Sequence, residues 1–243
     1  MKNQYFGDIN DYRKYGILRT LQTGSGLPLS ICWMLTPDDG GADGRKVAYL
    51  NDSDRWRGFD PEVFDHLQRA LREDRRSIEV AKETFLGSAL SHQDLISHRA
   101  DDRIGYFARL IGKLSESGLV FFDPDNGMEV RSTAIGRRGA EKYLFWEELE
   151  SVYRAGHSCL VYQHYSRVKR DVFIMDLVSK IRGRLGSPWV VTITTPHVLF
   201  LLAPQADHEQ GLRNGLQRLG SGWKGEVFIR VHAGSATDGP EWT

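Results

Sequence analysis

Nine residues in the middle of the chain, Phe121-Phe122-Asp123-Pro124-Asp125-Asn126-Gly127-Met128-Glu129, put two carboxylates, an amide and a glycine directly behind an apolar run. A carboxylate at the end of a buried strand faces whatever binds there. It can accept a hydrogen bond from an amine or hold a hard cation through oxygen. Pro124 fixes the turn, and Gly127 lets the backbone pass close to a ligand. Asp-Pro-Asp-Asn-Gly is also good material for a turn that caps a following helix, and composition alone admits either role.

A second constellation is Tyr162-Gln163-His164-Tyr165-Ser166-Arg167, again behind an apolar run. A neutral imidazole beside carboxylates could act as a general base or a metal ligand, and a lone histidine can equally be structural. Arg167 and Lys169, with Arg131, Arg137 and Arg138 in the segment after Asp123, could form a local basic patch for RNA or DNA, or be solvated cations of a loop and a helix start. A third stretch, residues 5–15, is dense in polar and aromatic side chains. Asp8, Asp11, Lys14 and Tyr15 recur there at spacings of three and four, so they share one helix face, as a site or as surface ion pairs. The loop over residues 37–45 holds Asp38, Asp39, Gly40, Gly41, Asp43 and Gly44. It lacks the G-x-G-x-x-G spacing of a dinucleotide fingerprint and the lysine of a P-loop, so it reads as a cofactor cradle or as an ordinary mobile loop.

The elements that must position these groups alternate. Apolar spacing predicts helices over residues 8–22, 61–72, 104–114, 140–155, 170–185 and 207–219. Short apolar runs predict strands over 29–35, 118–122, 158–163, 189–195, 197–203 and 226–231, with 197–203 antiparallel to its predecessor. Residues 75–103 carry no clean period. Such alternation predicts an α/β sheet, mostly parallel, covered on both faces, with antiparallel strands near the C-terminus. Ligands of such sheets bind at the carboxyl ends of the strands, where the connections change direction. The loop over 36–44, the loop over 123–127 and residues 163–167 are therefore the places to look.

The chain has 243 residues, 32 Lys and Arg against 32 Asp and Glu, and two cysteines. That is long enough for a substantial core without disulfide or metal staples. Zero net charge gives no global attraction to nucleic acid or anionic lipid, so such a partner needs a local patch. Cys32 and Cys159 lie in apolar runs as buried thiols, which favours a reducing, cytoplasmic setting. No signal peptide is visible, and no apolar run approaches a membrane span. Residues 1–232 read as one α/β domain and 233–243 as a flexible tail.

These pieces resemble the compact DPPY-type methyltransferases that use S-adenosylmethionine to modify adenine N6 in large-subunit ribosomal RNA. That family opens with H-A-G-N-x-A-D-x-x-K-H, and residues 5–15 align with it without a gap, sharing Gly7, Asp11 and Lys14. Its catalytic strand reads G-L-V, two hydrophobic residues, then D-P-P-Y, against Gly118-Leu119-Val120-Phe121-Phe122-Asp123-Pro124-Asp125-Asn126 here. At Asp125 and Asn126 the family has a proline and an aromatic, and at Tyr5 and Tyr15 it has histidines.

The resemblance implies a Rossmann-like, methyltransferase-type sheet. It implies that Asp123 accepts a hydrogen bond from the exocyclic amine of the target base, while Asp125, Asn126 and His164 are candidates for the reacting centre by their own place at the strand ends. Gly7, Asp11 and Lys14 would border the cofactor, and the loop with Thr36, Asp39 and Gly40 would lie under its methionine part. Two other functions follow from the same residues. Asp123, Asp125 and Glu129 could hold Mg²⁺ or Mn²⁺ in a nuclease or phosphoesterase, or the scaffold could serve as a non-catalytic binding module.

Overall fold

The computed structural model describes residues 1–38, 40–41, 44–114 and 118–233, together with the backbone of 241–242. Helix α1 (Ile9–Ser25) opens the chain. The Asp8 carboxylate accepts from the Asn10 amide at its N-terminus, and Gly26 ends it in the left-handed conformation. Strand β1 (Leu29–Cys32) follows, then the short α2 (Ser53–Trp56), α3 (Pro61–Arg72), α4 (Ile78–Glu83) and β2 (Leu90–His92). Next come α5 (Ala100–Lys113), β3 (Leu119–Phe122), β4 (Gly127–Met128), β5 (Tyr143–Leu144), α6 (Trp146–Arg154), β6 (Ser158–His164) and α7 (Arg170–Leu185). Strands β7 (Trp189–Thr194) and β8 (Val198–Ala203), helix α8 (Glu209–Gly222), β9 (Phe228–Ala233) and β10 (Glu241–Trp242) complete the order.

The main sheet runs β10-β9-β7-β8-β6-β3-β1-β2. Strands β2, β1, β3 and β6 pair in parallel, and β8, β7, β9 and β10 continue antiparallel. The fold is α/β with a Rossmann-like mixed sheet, as the alternation predicts. Strand β8 lies between β6 and β7 and runs against both.

Alternate residues of the central strands feed two cores. Ile31, Phe121, Leu160 and Tyr162 face one layer, packed by α1, α3, α4 and α8. Cys32, Val120, Phe122, Cys159 and Val161 face the other, packed by α5, α6 and α7. Covering both faces is why these strands read as continuous apolar runs rather than as alternations.

Several predicted boundaries move. Residues 140–155 are not one helix. A 3-10 turn (Ala140–Lys142) and strand β5 precede α6, so the apolar residues at 140 and 144–145 serve a turn and a small sheet. The region without a clean period contains α4, capped by Ser77, and the edge strand β2, whose three residues are too short to show a period. Strand β1 ends at Cys32, three residues before the apolar run does. Met34 takes a positive φ of 46°, which breaks the extended geometry. At the C-terminal end Ala233 belongs to β9, and Glu241 and Trp242 pair with Arg230 and Ile229. Among the described residues no helix is long and apolar enough to cross a membrane.

Candidate functional site

The order β2-β1-β3-β6 reverses direction about β1 and β3, and the carboxyl ends of these two strands form a topological switch point. Beyond β3, the Asp123 carboxylate is buried, and its Oδ2 lies 2.7 Å from Lys14 Nζ. Lys14 also lies 2.7 Å from Asp11 Oδ1, one helical turn away. Asp11 Oδ2 in turn accepts from the Gly7 amide and the Tyr15 hydroxyl, both at 3.2 Å. The face of α1 that carries Asp11, Lys14 and Tyr15 is thus turned into the protein, and its ion pairs are not those of a surface helix.

Burial pushes the Asp11 carboxyl up to about 6, against the opposing pull of Lys14, with Asp123 and Asp8 adding to the rise. Burial also works against the Lys14 ammonium, but Asp11 and Asp123 outweigh it and its pKa is raised. A buried lysine shared between two carboxylates is the electrostatic centre of the site.

Asp125 faces a different set of partners. Its Oδ2 accepts from the Thr36 hydroxyl at 2.7 Å, and its Oδ1 lies 2.8 Å from the Met1 amino group. That amino group also donates to the Asp123 carbonyl at 2.9 Å and to the Met34 carbonyl at 3.1 Å. Despite burial, the Met1 charge and these hydrogen bonds hold Asp125 below the usual carboxylate range. Neither aspartate caps a helix, and β4 rather than a helix follows, so the turn-capping role does not apply.

A cleft of about 380 Å³ opens over these groups, lined among others by Tyr5, Asp8, Asn10, Asp11, Lys14, Lys46, Asp123, Asp125, Asn126, Tyr162 and His164. Its second large aromatic wall is Tyr162, which opens the segment leading to His164 but carries no predicted role of its own. The Lys14 ammonium lies 5.5 Å from the centre of its ring. The only sequence signal for it was its place two residues before His164.

A larger groove of about 1300 Å³ adjoins the cleft, and Asn126 and His164 line both. His164 is exposed as a residue, yet the protein packed around its ring desolvates it enough to lower its pKa against the pull of Asp123 and Asp125, so the imidazole is neutral at pH 7. Glu129, Arg131, Arg167, Lys180 and Arg184 line the larger groove, with Tyr143, Phe145, Trp146, Tyr165 and Phe173 as aromatic surface. Arg137, Arg138 and Lys169 are exposed outside that lining.

Other predicted positions fall elsewhere. Gly7 takes a φ of 86° and uses its amide to hold Asp11, so it supports the site from behind rather than lining the cleft. Gly40 is exposed and outside the lining of the cleft, and Asp39 lies outside the described residues. Asp123, Asp125 and Glu129 are not gathered at one point, since Glu129 belongs to the larger groove. Among the described residues no group of three or more His, Cys, Asp or Glu side chains could hold a metal ion.

The wall of the larger groove hangs on a residue with no motif around it. Arg103 of α5 is 1% exposed. Its guanidinium makes two bonds to the Glu148 carboxylate, at 2.6 and 2.7 Å, and donates to the carbonyls of Ser97, Ala140 and Tyr143. Comparison with protein-family models, curated proteins and solved structures finds no match for the chain.

Proposed function

We propose that the protein is a methyltransferase-like enzyme that moves a methyl group from S-adenosylmethionine to an amine nitrogen of a nucleic acid. One observation carries this reading. The Asp123 cleft and the larger groove meet at Asn126 and His164, the layout that transfer between two bound ligands requires.

The charge of the cleft supports the choice of donor. Asp8, Asp11, Asp123 and Asp125 line it against Lys14, Lys46 and the Met1 amino group. An excess of carboxylate favours a ligand bearing positive charge over one bearing phosphates. The sulfonium supplies an already activated methyl group, so the protein's task is to position. Lys14 holds one oxygen of Asp123, which leaves the other to accept a hydrogen bond from an acceptor amine. The antiparallel β8 set between β6 and β7 fits the methyltransferase-type sheet that the resemblance implies. Arg131 and Arg167 line the larger groove together with aromatic side chains such as Tyr143 and Tyr165, a combination that suits a nucleic-acid acceptor.

The test is transfer of labelled methyl from S-adenosylmethionine to RNA and to DNA, by the wild type and by Asp123→Asn. The reading predicts incorporation by the wild type and a loss of at least about a hundredfold in the variant, the scale of one positioned polar group. Failure of protein that binds S-adenosylmethionine to label any nucleic acid overturns the choice of acceptor.

A further inference from the structure

The two residues shared by cleft and groove sit on different strand ends, and one buried side chain joins them. Gln163, 5% exposed, is the penultimate residue of β6. Its Nε2 donates to the Asn126 carbonyl at 3.2 Å and to the His164 carbonyl at 2.8 Å, and its Oε1 accepts from the Met128 amide at 2.7 Å. Both hydrogens and the carbonyl oxygen of the carboxamide are therefore engaged, all with backbone. The His164 amide adds a bond to the Asn126 carbonyl at 3.3 Å. Gly127, between the two clamped residues, has a φ of 115°, and a Cβ there would run into the Gln163 carboxamide. The glycine is required twice, by its backbone angle and by the flat amide lying against it.

We propose that Gln163 is the positioning residue of this site. It ties the turn at 126–128 to the end of β6, and so holds Asn126 and His164 together at the boundary of the two cavities. Gln163 itself lines the larger groove, but its carboxamide is taken up by backbone partners, so it acts through the backbones of Asn126 and His164. The inference stands on this geometry whether or not the ligands are those proposed above.

Gln163→Met keeps the length and apolar volume and removes all three bonds. Gln163→Glu keeps the shape but, when ionised, sets a carboxylate against two carbonyl oxygens, and protonation restores one donor. The experiment is amide hydrogen exchange, residue by residue, on the full chain at several pH values. Gln163→Met is expected to speed exchange at Met128 and His164 at least tenfold while Val120 and Leu160, in the middle of β3 and β6, stay protected. Gln163→Glu is expected to show the same local loss at pH 8 and, measured against the wild type at the same pH so that the intrinsic slowing of exchange cancels, to recover as pH falls. Gly127→Ala is expected to loosen the same two amides, with no further loss when combined with Gln163→Met. Unchanged exchange at Met128 and His164, or loss spread evenly along β3 and β6, overturns the proposal. If Gln163→Met does not fold, the pH response of Gln163→Glu decides: recovery confined to Met128 and His164 supports the clamp, and its absence rejects it. S-adenosylmethionine binding by the wild type is measured separately, so failure of the proposed function leaves this result readable.

Discussion

Lys14 Nζ, on the first helix, lies 2.7 Å from Asp123 Oδ2 at the tip of the third strand, 109 residues away in sequence. The same ammonium lies 2.7 Å from Asp11, so one buried cation serves two buried carboxylates. The arrangement is asymmetric: removing the cation strands two charges, and removing one carboxylate leaves an ion pair.

Stability of single variants should follow that asymmetry. Lys14→Met is expected to cost about 3–5 kcal/mol, because it leaves two buried carboxylates without their countercharge. Asp123→Asn is expected to cost much less, since Lys14 keeps Asp11. Chemical denaturation of both variants checks the order, and equal losses would contradict it.

Asp11 gives a pH test with a definite sign. Its folded pKa, about 6, is above its ordinary 3.8, so the native state holds the proton more tightly than the unfolded one. The stabilisation is complete below pH 3.8 and is lost as pH rises through about 6. Relative to Asp11→Asn, the wild type should lose up to about 3 kcal/mol between pH 4 and pH 7, from roughly two units at 1.36 kcal/mol each. Parallel stability profiles for the two proteins would show that the burial of Asp11 has no such effect.

Arg103 tests the support of the larger groove. Arg103→Met is expected to destabilise by about 3–5 kcal/mol, and Arg103→Lys to recover little of it, because a lysine cannot supply the forked donors that meet Glu148 and three carbonyls. Full recovery by lysine would mean that charge alone matters there.

The basic residues make a prediction about salt. Arg131→Glu and Arg167→Glu are expected to weaken RNA or DNA binding and to flatten its dependence on salt concentration, with the slope falling by about one for each phosphate that is no longer neutralised. Filter binding across a salt series measures both. Unchanged slopes would remove these residues from the acceptor surface.

His164→Ala is expected to lower methyl transfer less than about tenfold. Its imidazole is neutral and lies at the boundary of the cavities, and a positioning contribution is smaller than that of the carboxylate. A loss as large as that of Asp123→Asn would assign His164 a direct part in the chemistry.

Much of this was legible in the residues. The apolar runs behind Asp123 and His164 placed both groups at strand ends, because a strand buried on two faces leaves an unbroken hydrophobic signature. The spacing of Asp11, Lys14 and Tyr15 put them on one helix face. Which way that face points was not legible: ion pairs at three- and four-residue spacing look the same on a surface as in a core, and only tertiary packing brought Lys14 to Asp123. The partners of Asp125, the clamp made by Gln163 and the anchor made by Arg103 depend on long-range bonds, most of them to backbone groups, which leave no pattern in side-chain types. The helix predicted over 140–155 begins only at Trp146 for a related reason, since Ala140 and Leu144 answer to Arg103 and to the small β4-β5 sheet rather than to a helical period.

The most direct measurement is calorimetric titration of the purified protein with S-adenosylmethionine in EDTA, repeated with Mg²⁺ or Mn²⁺ in place of the cofactor. Saturable binding of S-adenosylmethionine in the micromolar range without metal, reduced in Lys14 or Asp123 variants that remain folded, is the predicted result. Binding of the divalent ion with no binding of S-adenosylmethionine would contradict it.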